Sequence, residues 1–407
     1  MHAPLRGAIL VLPFLTMLGS CAAGPLAPAD LLVRNVDVVD PRTSTARRAS
    51  IVIDDGVIRA VVEPASRVAA TREIDGSGLF AIPGLWDAHV HLAEDGADPS
   101  VLAALVRHGV TGVRDAGSRL EILGDWQRSM ESGAIAGPRV FAAGPTLNGP
   151  GDDSLHIEVT DRASAVNAVT TLAGQGVRWI KVHRLLAPDH LKVIIEEAHG
   201  RGLRVFGHVP HGMSPRQACE AGMDGIEHLG SVLESIVSVR QGGAEDLAAA
   251  VGELVSRETD AFVECLVERG TSFTPTLAIY RFLAGPNDAQ RRMAERLIDA
   301  LQPFVLRVHR AGVPILPGSD APLDGAVPWG AALHEELALL EEAGLAPADV
   351  LRLATIGSAE RISGADSTVM AGAAADLVLL RADPLKAVAN LRAIAHVIVR
   401  GRPMIAR

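Results

Sequence analysis

The sequence of 407 residues predicts an α/β fold, a (β/α)8 barrel with a small β-sandwich domain beside it. From Ala81 onward, short apolar runs alternate with helical patterns, which is typical of βα units around a parallel sheet. Further β patterns precede and follow this central part. Polar residues recur at the C-terminal ends of many runs, where barrel enzymes build their sites, and this favours a barrel over an open doubly wound sheet.

The first 21 residues are expected to be a targeting segment. Arg6 supplies a positive charge, and the apolar stretch 8–18 is too short for an ordinary membrane span. The stretch ends in Leu18-Gly19-Ser20-Cys21, which resembles a bacterial lipobox, and this resemblance implies cleavage before Cys21 and attachment of lipid to it. A plain signal peptide cut near Ala22 is the alternative. Both predict a location in the cell envelope, periplasmic or at the outer membrane, with membrane contact only through Cys21.

Residues 22–80 and 365–407 are expected to form one composite β-sandwich domain, because each piece is too small for a core of its own. Strand patterns cover 31–40 and 50–58 in the first piece and 375–380 and 396–402 in the second. The Asp55-Gly56 step is a hairpin signal.

Residues 81–364 are expected to form the barrel. Eight apolar runs supply its strands: 81–91, 110–115, 139–144, 179–183, 204–208, 225–228, 272–277 and 315–320. Helical patterns lie between most of them, at 99–108, 163–175, 188–200, 214–221, 244–269 and 287–311. Two more helices, 331–342 and 347–355, follow the last strand.

The composition argues against several classes of partner. The formal net charge is −10 and no basic stripe occurs, so we expect no nucleic-acid partner. Aromatic residues make up 3%, too few for a stacking groove. A small-molecule substrate is expected, and the sequence leaves a homo-oligomer open.

We expect Cys219 and Cys265 to be two buried thiols, although an oxidising compartment permits a bridge between them.

The strongest functional signal is Asp87-Ala88-His89-Val90-His91-Leu92, entered through Ile82-Pro83-Gly84-Leu85. Side chains at i and i+2 of a strand point to the same side, so His89 and His91 aim two imidazoles at one point. Neutral imidazole is the commonest metal ligand, although His-x-His pairs also occur on surfaces without a metal.

The ends of other strands add matching groups. Lys181 lies inside the fourth apolar run, and His208, His228 and Asp320 lie at the ends of the fifth, sixth and eighth runs. Four imidazoles, an amine and a carboxylate would therefore meet at the barrel mouth, the face formed by the C-terminal ends of the strands.

With these motifs the chain resembles the amidohydrolase superfamily, in its imidazolonepropionase-like and prolidase-like branch. The resemblance rests on the Pro-Gly-Leu-x-Asp-x-His-x-His pattern of the first strand and covers nearly the whole mature chain. The other matching motifs are Ile226-Glu227-His228, 273–277, Gly318-Ser319-Asp320, 334–337 with 354–355, and 371–378, in which Ala371 replaces the usual proline.

The resemblance implies two divalent metal ions. It assigns six ligands: His89, His91 and Asp320 for one ion, His208 and His228 for the other, and a carboxylated Lys181 that bridges both. A lysine in a metal-lined pocket loses its proton readily and can form this carbamate, whereas a lysine that extends its head to solvent is the alternative. Zinc suits such ligands, and manganese, cobalt or iron would also fit.

The implied reaction is hydrolysis of an amide or peptide bond in a small substrate, such as a dipeptide or an N-acyl amino acid. Two ions about 3.5–4 Å apart lower the pKa of a bridging water and polarise the carbonyl. Asp320 would carry the proton from that water to the leaving amine. His183 would stabilise the oxyanion, touch a substrate carboxylate, or only orient a ligand. His156, Arg184 and His211 are further candidates for substrate binding.

The sequence also departs from its relatives. Val182-His183-Arg184 stands where many prolidase-like members have a Ser-Gly-Gly type of stretch, so the substrate does not transfer directly. A cyclic amidase, an imidazolonepropionase-like hydrolase, a lactonase, a phosphotriesterase and a non-catalytic binding protein remain alternatives.

Arg114 is expected to pair with Asp115, and His334 and Glu335 are expected to be structural.

Overall fold

Seventeen strands and thirteen α-helices are present in the part of the chain that the computed structural model describes, residues 28–94, 98–151, 155–239, 247–256, 259–323 and 325–404. The strands are β1 (Ala29–Asp40), β2 (Thr45–Asp54), β3 (Val57–Val62), β4 (Ala70–Asp75), β5 (Phe80–Pro83), β6 (Leu85–Val90), β7 (Val110–Asp115), β8 (Arg139–Ala142), β9 (Thr146–Asn148), β10 (His156–Glu158), β11 (Trp179–Val182), β12 (Arg204–Gly207), β13 (Gly225–Glu227), β14 (Ser272–Thr274), β15 (Leu377–Leu380), β16 (Ile394–Val399) and β17 (Arg402–Met404). The helices are α1 (Ser100–Arg107), α2 (Leu120–Glu131), α3 (Arg162–Gly174), α4 (Pro188–Gly200), α5 (Pro215–Ala221), α6 (Leu229–Val239), α7 (Leu247–Val255), α8 (Asp260–Arg269), α9 (Ala278–Leu283), α10 (Asp288–Arg310), α11 (Ala331–Glu342), α12 (Pro347–Arg352) and α13 (Ser358–Ser363).

Strands from both ends of the chain form one eight-stranded sheet. Within it β1 is antiparallel to β2 and parallel to β4 and β5, and β5 continues through β15 and β16 to β17. Asp55 and Gly56 both have positive φ, as a two-residue hairpin turn requires, and they join β2 to β3. The two terminal segments therefore form a β-rich unit separate from the barrel, in which hydrogen bonds join all the strands into one sheet.

The predicted first barrel strand, 81–91, is divided in the structure. Its first residues lie in β5, which pairs with β1 and β15, so they belong to the terminal sheet. The barrel begins at Leu85, after Gly84. A Cβ atom at Gly84 would lie 1.8 Å from Oγ1 of Thr111, so the chain crosses from sheet to barrel at a position where only glycine fits. The expected domain boundary before Ala81 is therefore too early.

The central part is a barrel-like ring of parallel strands. β6, β7 and β8 form one parallel sheet, and β10, β9, β11, β12, β13 and β14 form another in that order. Bridges from Phe273 to Ile315 and from Val90 to Ala321 place segment 315–321 between β14 and β6, which joins the two sheets on that side. The predicted (β/α)8 barrel is confirmed. The eighth position makes isolated bridges only, because Pro314 and Pro317 lack the N–H donors that a regular ladder needs.

Most predicted helices are present within two residues of their expected ends. Asp161 and Ser214 begin α3 and α5 with reciprocal capping hydrogen bonds, and Gly222 ends α5 in the left-handed conformation. The single helix expected at 244–269 is wrong, because the structure has α7 and α8 there. Between them, the Thr259 hydroxyl donates to the carbonyl of Leu254, so its side chain competes with continuation of the helix.

Cys219 of α5 and Cys265 of α8 form a disulfide bond, with their Cα atoms 6.3 Å apart. The expectation of two buried thiols is therefore wrong. The bond joins residues 46 positions apart, on two helices that pack against each other.

A continuous hydrophobic core connects the barrel with the terminal sheet. Ile82 and Val378 of the sheet belong to the same buried cluster as Leu105 of α1 and Val110 of β7. The opposite side of the sheet buries its own cluster around Leu31. The sheet is therefore fixed to the flank of the barrel, and the barrel mouth is left to the functional groups.

The predicted signal peptide, with Cys21, lies outside the described residues, which begin at 28. Among the described helices, none combines the length and the apolar character that crossing a membrane would require.

Candidate active site

Functional groups from five barrel positions meet at the barrel mouth. They are His89 and His91 at the end of β6, Lys181 in β11, His208 after β12, His228 after β13, and Asp320 before the bridge at Ala321. Each lies near or just after the C-terminal end of a strand position, so the ring brings together residues that are up to 231 positions apart in the sequence.

His89, His91 and Asp320 form a cluster whose ligand atoms all lie within 4.8 Å of one another. The Nε2 atoms of His89 and His91 lie 3.3 and 3.4 Å from Oδ1 of Asp320. Two imidazole nitrogens and one carboxylate oxygen at this spacing are a donor set that fits a divalent metal ion.

Hydrogen bonds behind the rings turn these nitrogens toward the cluster. Nδ1 of His89 donates to Oε2 of Glu227 at 2.7 Å, and Nδ1 of His91 donates to the carbonyl oxygen of Gly117 at 3.2 Å. A proton on Nδ1 leaves the lone pair on Nε2, which is the usual arrangement of a metal-binding histidine.

Lys181 lies against the same cluster. Its side chain is buried, with 1% of the residue exposed, and Nζ lies 3.1 Å from Nε2 of His89. Burial lowers the pKa of Lys181 to about 8, although the charges of Glu227 and Asp320 oppose that shift. The alternative of a lysine with its head in solvent is therefore wrong, and burial makes this amine easier to deprotonate than an exposed lysine.

Six imidazole rings follow one another across the barrel mouth. Their order is His91, His89, His228, His208, His183 and His156, with successive ring centres 5.3, 4.4, 4.6, 4.1 and 5.1 Å apart. Burial lowers the pKa of the four central rings, to about 3 for His228 and about 2 for His183, so these rings are neutral at pH 7. Nδ1 of His208 is buried and makes no hydrogen bond to the residues described, which leaves it available as a ligand atom.

Asp320 is ionised in this environment. Burial alone would raise its pKa, but its electrostatic interactions with His228 and His89 and its contact with His91 hold that pKa well below its usual range. Burial alone would lower the pKa of His91. Its interaction with Asp320 outweighs burial, so the pKa of His91 is raised. The cluster therefore holds one permanent carboxylate among imidazoles.

The backbone is strained where the strands end. His228, Thr276 and Asp320 have φ angles of 61°, 51° and 60°, a left-handed conformation that costs a residue other than glycine about 1–3 kcal/mol. Backbone hydrogen bonds from His228 to Thr274 and from Asp320 to His89 hold two of these turns in place. The turns direct the side chains of His228 and Asp320 toward the other ligands.

The geometry agrees with comparisons to known proteins. The model of the amidohydrolase family matches residues 80–404. The chain belongs to the amidohydrolase family. It is therefore a hydrolase of a family that generally uses metal ions and acts on small substrates.

Two sequence relatives and one solved structure illustrate this membership. A proposed prolidase from Bifidobacterium longum has a TM-score of 0.71 and 25% identity, over 92% of this chain and 94% of that chain. An uncharacterized protein of Mycobacterium bovis is 27% identical over 91% of this chain and 99% of its own length. An adenine deaminase of Desulforamulus reducens is 42% identical over 79 residues, which is 13% of the deaminase's length.

Glu227 supports the site of this amidohydrolase, although the sequence predicts it only as part of a motif. It is fully buried and accepts hydrogen bonds from His89, from Nη2 of Arg114 at 2.8 Å and from the hydroxyl of Thr274 at 3.2 Å. The signal that could have found it is an acidic residue inside an apolar run, since a buried carboxylate needs partners.

Arg114 pairs with Glu227, so the expected ion pair with Asp115 is wrong. Its Nε donates to the carbonyl of Ala88 at 2.8 Å, and its guanidinium lies 4.0 Å from the ring centre of Phe206. The Asp115 carboxylate instead accepts the backbone N–H of Leu92 and the hydroxyl of Ser118, each at 2.7 Å. Successive strand side chains point to opposite sides, which separates Arg114 from Asp115.

Two further buried carboxyl groups hold the loops of this amidohydrolase's barrel mouth. Oδ1 of Asp87 accepts the backbone N–H of Ser319 at 2.9 Å, and Oε2 of Glu336 accepts that of Ala278 at 2.8 Å. Burial raises the pKa of Asp87 to about 7 and that of Glu336 to about 8. The sequence predicts a role for neither, although both lie in matching motifs.

The predicted substrate-binding residues lie in two places. His156 begins β10 next to the ring of His183, at one end of the imidazole row. Arg184 and His211 lie together beside Glu234, with Nη1 of Arg184 and Nε2 of His211 4.0 and 3.8 Å from its carboxylate, and Arg184 is exposed.

The two residues expected to be structural have structural contacts. His334 donates from Nε2 to the carbonyl of His108 at 2.8 Å, and Glu335 accepts hydrogen bonds from Arg281 and Arg392.

Proposed function

We propose that this amidohydrolase is a binuclear metal-dependent enzyme that hydrolyses an amide or peptide bond in a dipeptide or an N-acyl amino acid. One observation carries the proposal: His89, His91 and Asp320 converge within 4.8 Å, and Nζ of Lys181 lies 3.1 Å from Nε2 of His89. The similarity to a proposed prolidase at 25% identity supports a peptide-like substrate.

The donor set fits two divalent ions, and zinc suits its imidazoles and carboxylate. The proposed ligands are His89, His91 and Asp320 for one ion, His208 and His228 for the other, and Lys181 for both. The bound ions would polarise the scissile carbonyl and acidify the attacking water. To serve as a ligand of both ions, Lys181 would first be converted to a carbamate. Its neutral amine would add to carbon dioxide, forming an N–C bond and releasing a proton to solvent.

Asp320 is the proposed general acid and base. Its ionised carboxylate accepts a proton from the attacking water and then delivers it to the nitrogen of the leaving amine as the C–N bond breaks. The products are a carboxylate and an amine. The strained backbone of Asp320 and its contacts with His89 and His91 hold the carboxylate in one position for both transfers.

The outer part of the imidazole row would bind the substrate. His183 is neutral and partly exposed, so it can donate one hydrogen bond to a substrate oxygen, either the carbonyl or a carboxylate. His156 lies beside it, and Arg184 and His211 remain proposed contacts for a more distant part of the substrate.

A cell-envelope location and lipid attachment at Cys21 are also part of the proposal, and they rest on the leader sequence.

The test is amine release from a library of dipeptides and N-acyl amino acids by the zinc-loaded protein. Asp320→Asn is compared with Asp299→Asn, which makes the same change on the exposed face of α10. We expect the parent and Asp299→Asn to release amine, and Asp320→Asn to lose about 10²- to 10⁴-fold in kcat at saturating zinc.

Two outcomes would contradict the proposal. Absence of release across the library, with metal still bound, would favour cyclic amides, lactones or phosphoesters as substrates. Near-normal turnover by a folded Asp320→Asn would remove Asp320 from the proton transfers.

A further inference from the structure

Two segments on the mouth side of the barrel meet in an apolar cluster next to the candidate metal site. One is α9, which follows β14, and the other is 321–330, which follows Asp320. The backbone N–H of His91 donates to the carbonyl of Ala321 at 2.8 Å, so the cluster begins directly beside two of the proposed ligands. Its buried centre consists of three apolar residues, Ala321, Val327 and Ala332.

Three sides of α9 are already covered by other parts of the protein. Tyr280 lies on the side that faces α6, since a Cβ atom at Gly230 would come within 3.2 Å of its hydroxyl. Arg281 lies on the outer side, where it pairs with carboxylates of α10 and α11. Phe282 packs against the apolar cluster. Only the side opposite Arg281 is left to face the barrel mouth.

That remaining side of α9 carries Ile279 and Leu283. Successive residues of an α-helix are rotated by about 100°, so these two side chains lie between Tyr280 and Phe282 and opposite Arg281. Leu283 is 53% exposed, and Ile279 is partly exposed. The helix therefore presents uncovered apolar surface to the mouth.

The segment after Asp320 adds further apolar surface. Leu323 and Trp329 pack against the cluster and remain partly exposed. Leu323 has a φ angle of 30°, an unfavourable backbone conformation for a residue other than glycine. A hydrogen bond from the N–H of Val327 to the carbonyl of Pro322, at 3.0 Å, closes the turn around it. The position of this leucine is therefore fixed by the fold.

The apolar residues and the other proposed substrate contacts lie on opposite sides of the mouth. The apolar residues follow β14 and segment 315–321, the seventh and eighth strand positions of the barrel, whereas His183 and Arg184 follow β11, the fourth. In a ring of eight, positions four apart face each other across the mouth. The two groups would therefore contact different parts of a bound substrate.

We propose that Ile279, Leu283, Leu323 and Trp329, the apolar wall, bind a hydrophobic side chain of the substrate, and that this side chain belongs to the half that leaves as the amine. Binding pockets for small molecules are lined mainly by such side chains. The assignment to the amine half rests on the proposed function, because Asp320, which would protonate the leaving nitrogen, directly precedes one of the wall's two segments.

The affinity of the wall is tested with N-methanesulfonylphenylalanine and N-methanesulfonylalanine, titrated calorimetrically into the zinc-loaded parent protein. A sulfonamide replaces the scissile amide in both compounds, so they offer no carbonyl for hydrolysis. We expect the phenylalanine compound to bind about 10- to 100-fold more tightly, because its ring is buried. Its heat capacity of binding should also be more negative. Equal affinities would overturn the proposal.

Ile279→Asp places a charge on the wall and should remove the preference for the phenylalanine compound. The matched control is Met293→Asp on α10, which makes the same kind of change at an apolar residue that is 65% exposed and lies outside the wall. The control should keep the preference of the parent. Trp329→Ala is a second wall variant, needed if Ile279→Asp does not fold, and should also reduce the preference. An unchanged preference in a folded wall variant would overturn the role of the wall.

The assignment to the amine half is tested with N-benzylsulfonylalanine, which carries the same ring on the other side of the sulfonamide. We expect it to bind no more tightly than N-methanesulfonylalanine. Tighter binding that Ile279→Asp abolishes would overturn this assignment. None of these measurements depends on amide cleavage. Failure of the proposed reaction, seen as absent amine release by the parent enzyme, is therefore distinguishable from failure of this inference.

Discussion

Nδ1 of His89 donates a 2.7 Å hydrogen bond to Oε2 of Glu227, so a carboxylate outside the metal cluster determines which nitrogen of His89 faces it. The other oxygen of Glu227 accepts from Arg114. The candidate metal site is therefore held from behind by a buried ion pair, and we expect Glu227 to influence both its metal affinity and the stability of the barrel.

Glu227→Gln should weaken metal binding by about 10- to 100-fold, the usual cost of losing a carboxylate that orients a ligand histidine. The amide can still accept a hydrogen bond, but it lacks the charge that makes His89 a strong ligand. Competition between the protein and a chelator for zinc measures the affinity. Glu220→Gln on the exposed side of α5 is the control and should bind zinc like the parent. An affinity unchanged by Glu227→Gln would show that Glu227 does not tune His89.

Arg114→Leu should lower the free energy of unfolding by about 3–5 kcal/mol, because it leaves the Glu227 carboxylate buried without its charged partner. Urea unfolding of the parent and the variant measures the difference. Arg216→Leu removes an arginine from an exposed pair on α5 and should change stability by no more than about 1 kcal/mol. Equal effects of the two substitutions would mean that the buried pair does not stabilise the barrel.

Glu336 should make stability depend on pH. Burial raises its pKa from 4.5 to about 8, so the folded protein binds the proton more tightly than the unfolded chain. The stabilisation is fully present below the unfolded pKa and is lost as pH rises through the folded pKa. Relative to Glu336→Gln, the parent should therefore lose stability between about pH 5 and pH 8, by at most about 1.4 kcal/mol per pH unit.

The measurement for Glu336 is the free energy of unfolding of the parent and Glu336→Gln across this pH range. Glu220→Gln serves again as control, and its difference from the parent should stay constant. A constant difference for Glu336→Gln as well would show that this carboxyl group titrates normally in the folded protein.

The barrel and the convergence of its ligands were predictable, because both depend on local patterns. Alternation along β6 places His89 and His91 on one side, and the ends of parallel strands must meet at one face. The division of 81–91 at Gly84 was not predictable, because it depends on which strands β5 pairs with.

Contacts between distant residues account for the other differences. The Cys219–Cys265 bond spans 46 positions and the Arg114–Glu227 pair spans 113, and no periodicity within a strand or helix encodes such a partner. Asn148 shows the same limit. It ends β9, beyond the predicted run 139–144, and the two imidazoles that it contacts come from β10 and from the residue after β11.

The metal content of the protein tests the central claim most directly. Zinc per chain is measured by elemental analysis after the protein is loaded in bicarbonate buffer and free metal is removed. The parent is compared with Lys181→Ala and with the control Lys192→Ala, because Lys192 is exposed on α4. We predict two ions per chain in the parent and in Lys192→Ala, and fewer than two in Lys181→Ala. One ion in the parent, or two held as tightly by Lys181→Ala, would contradict a binuclear centre bridged by Lys181.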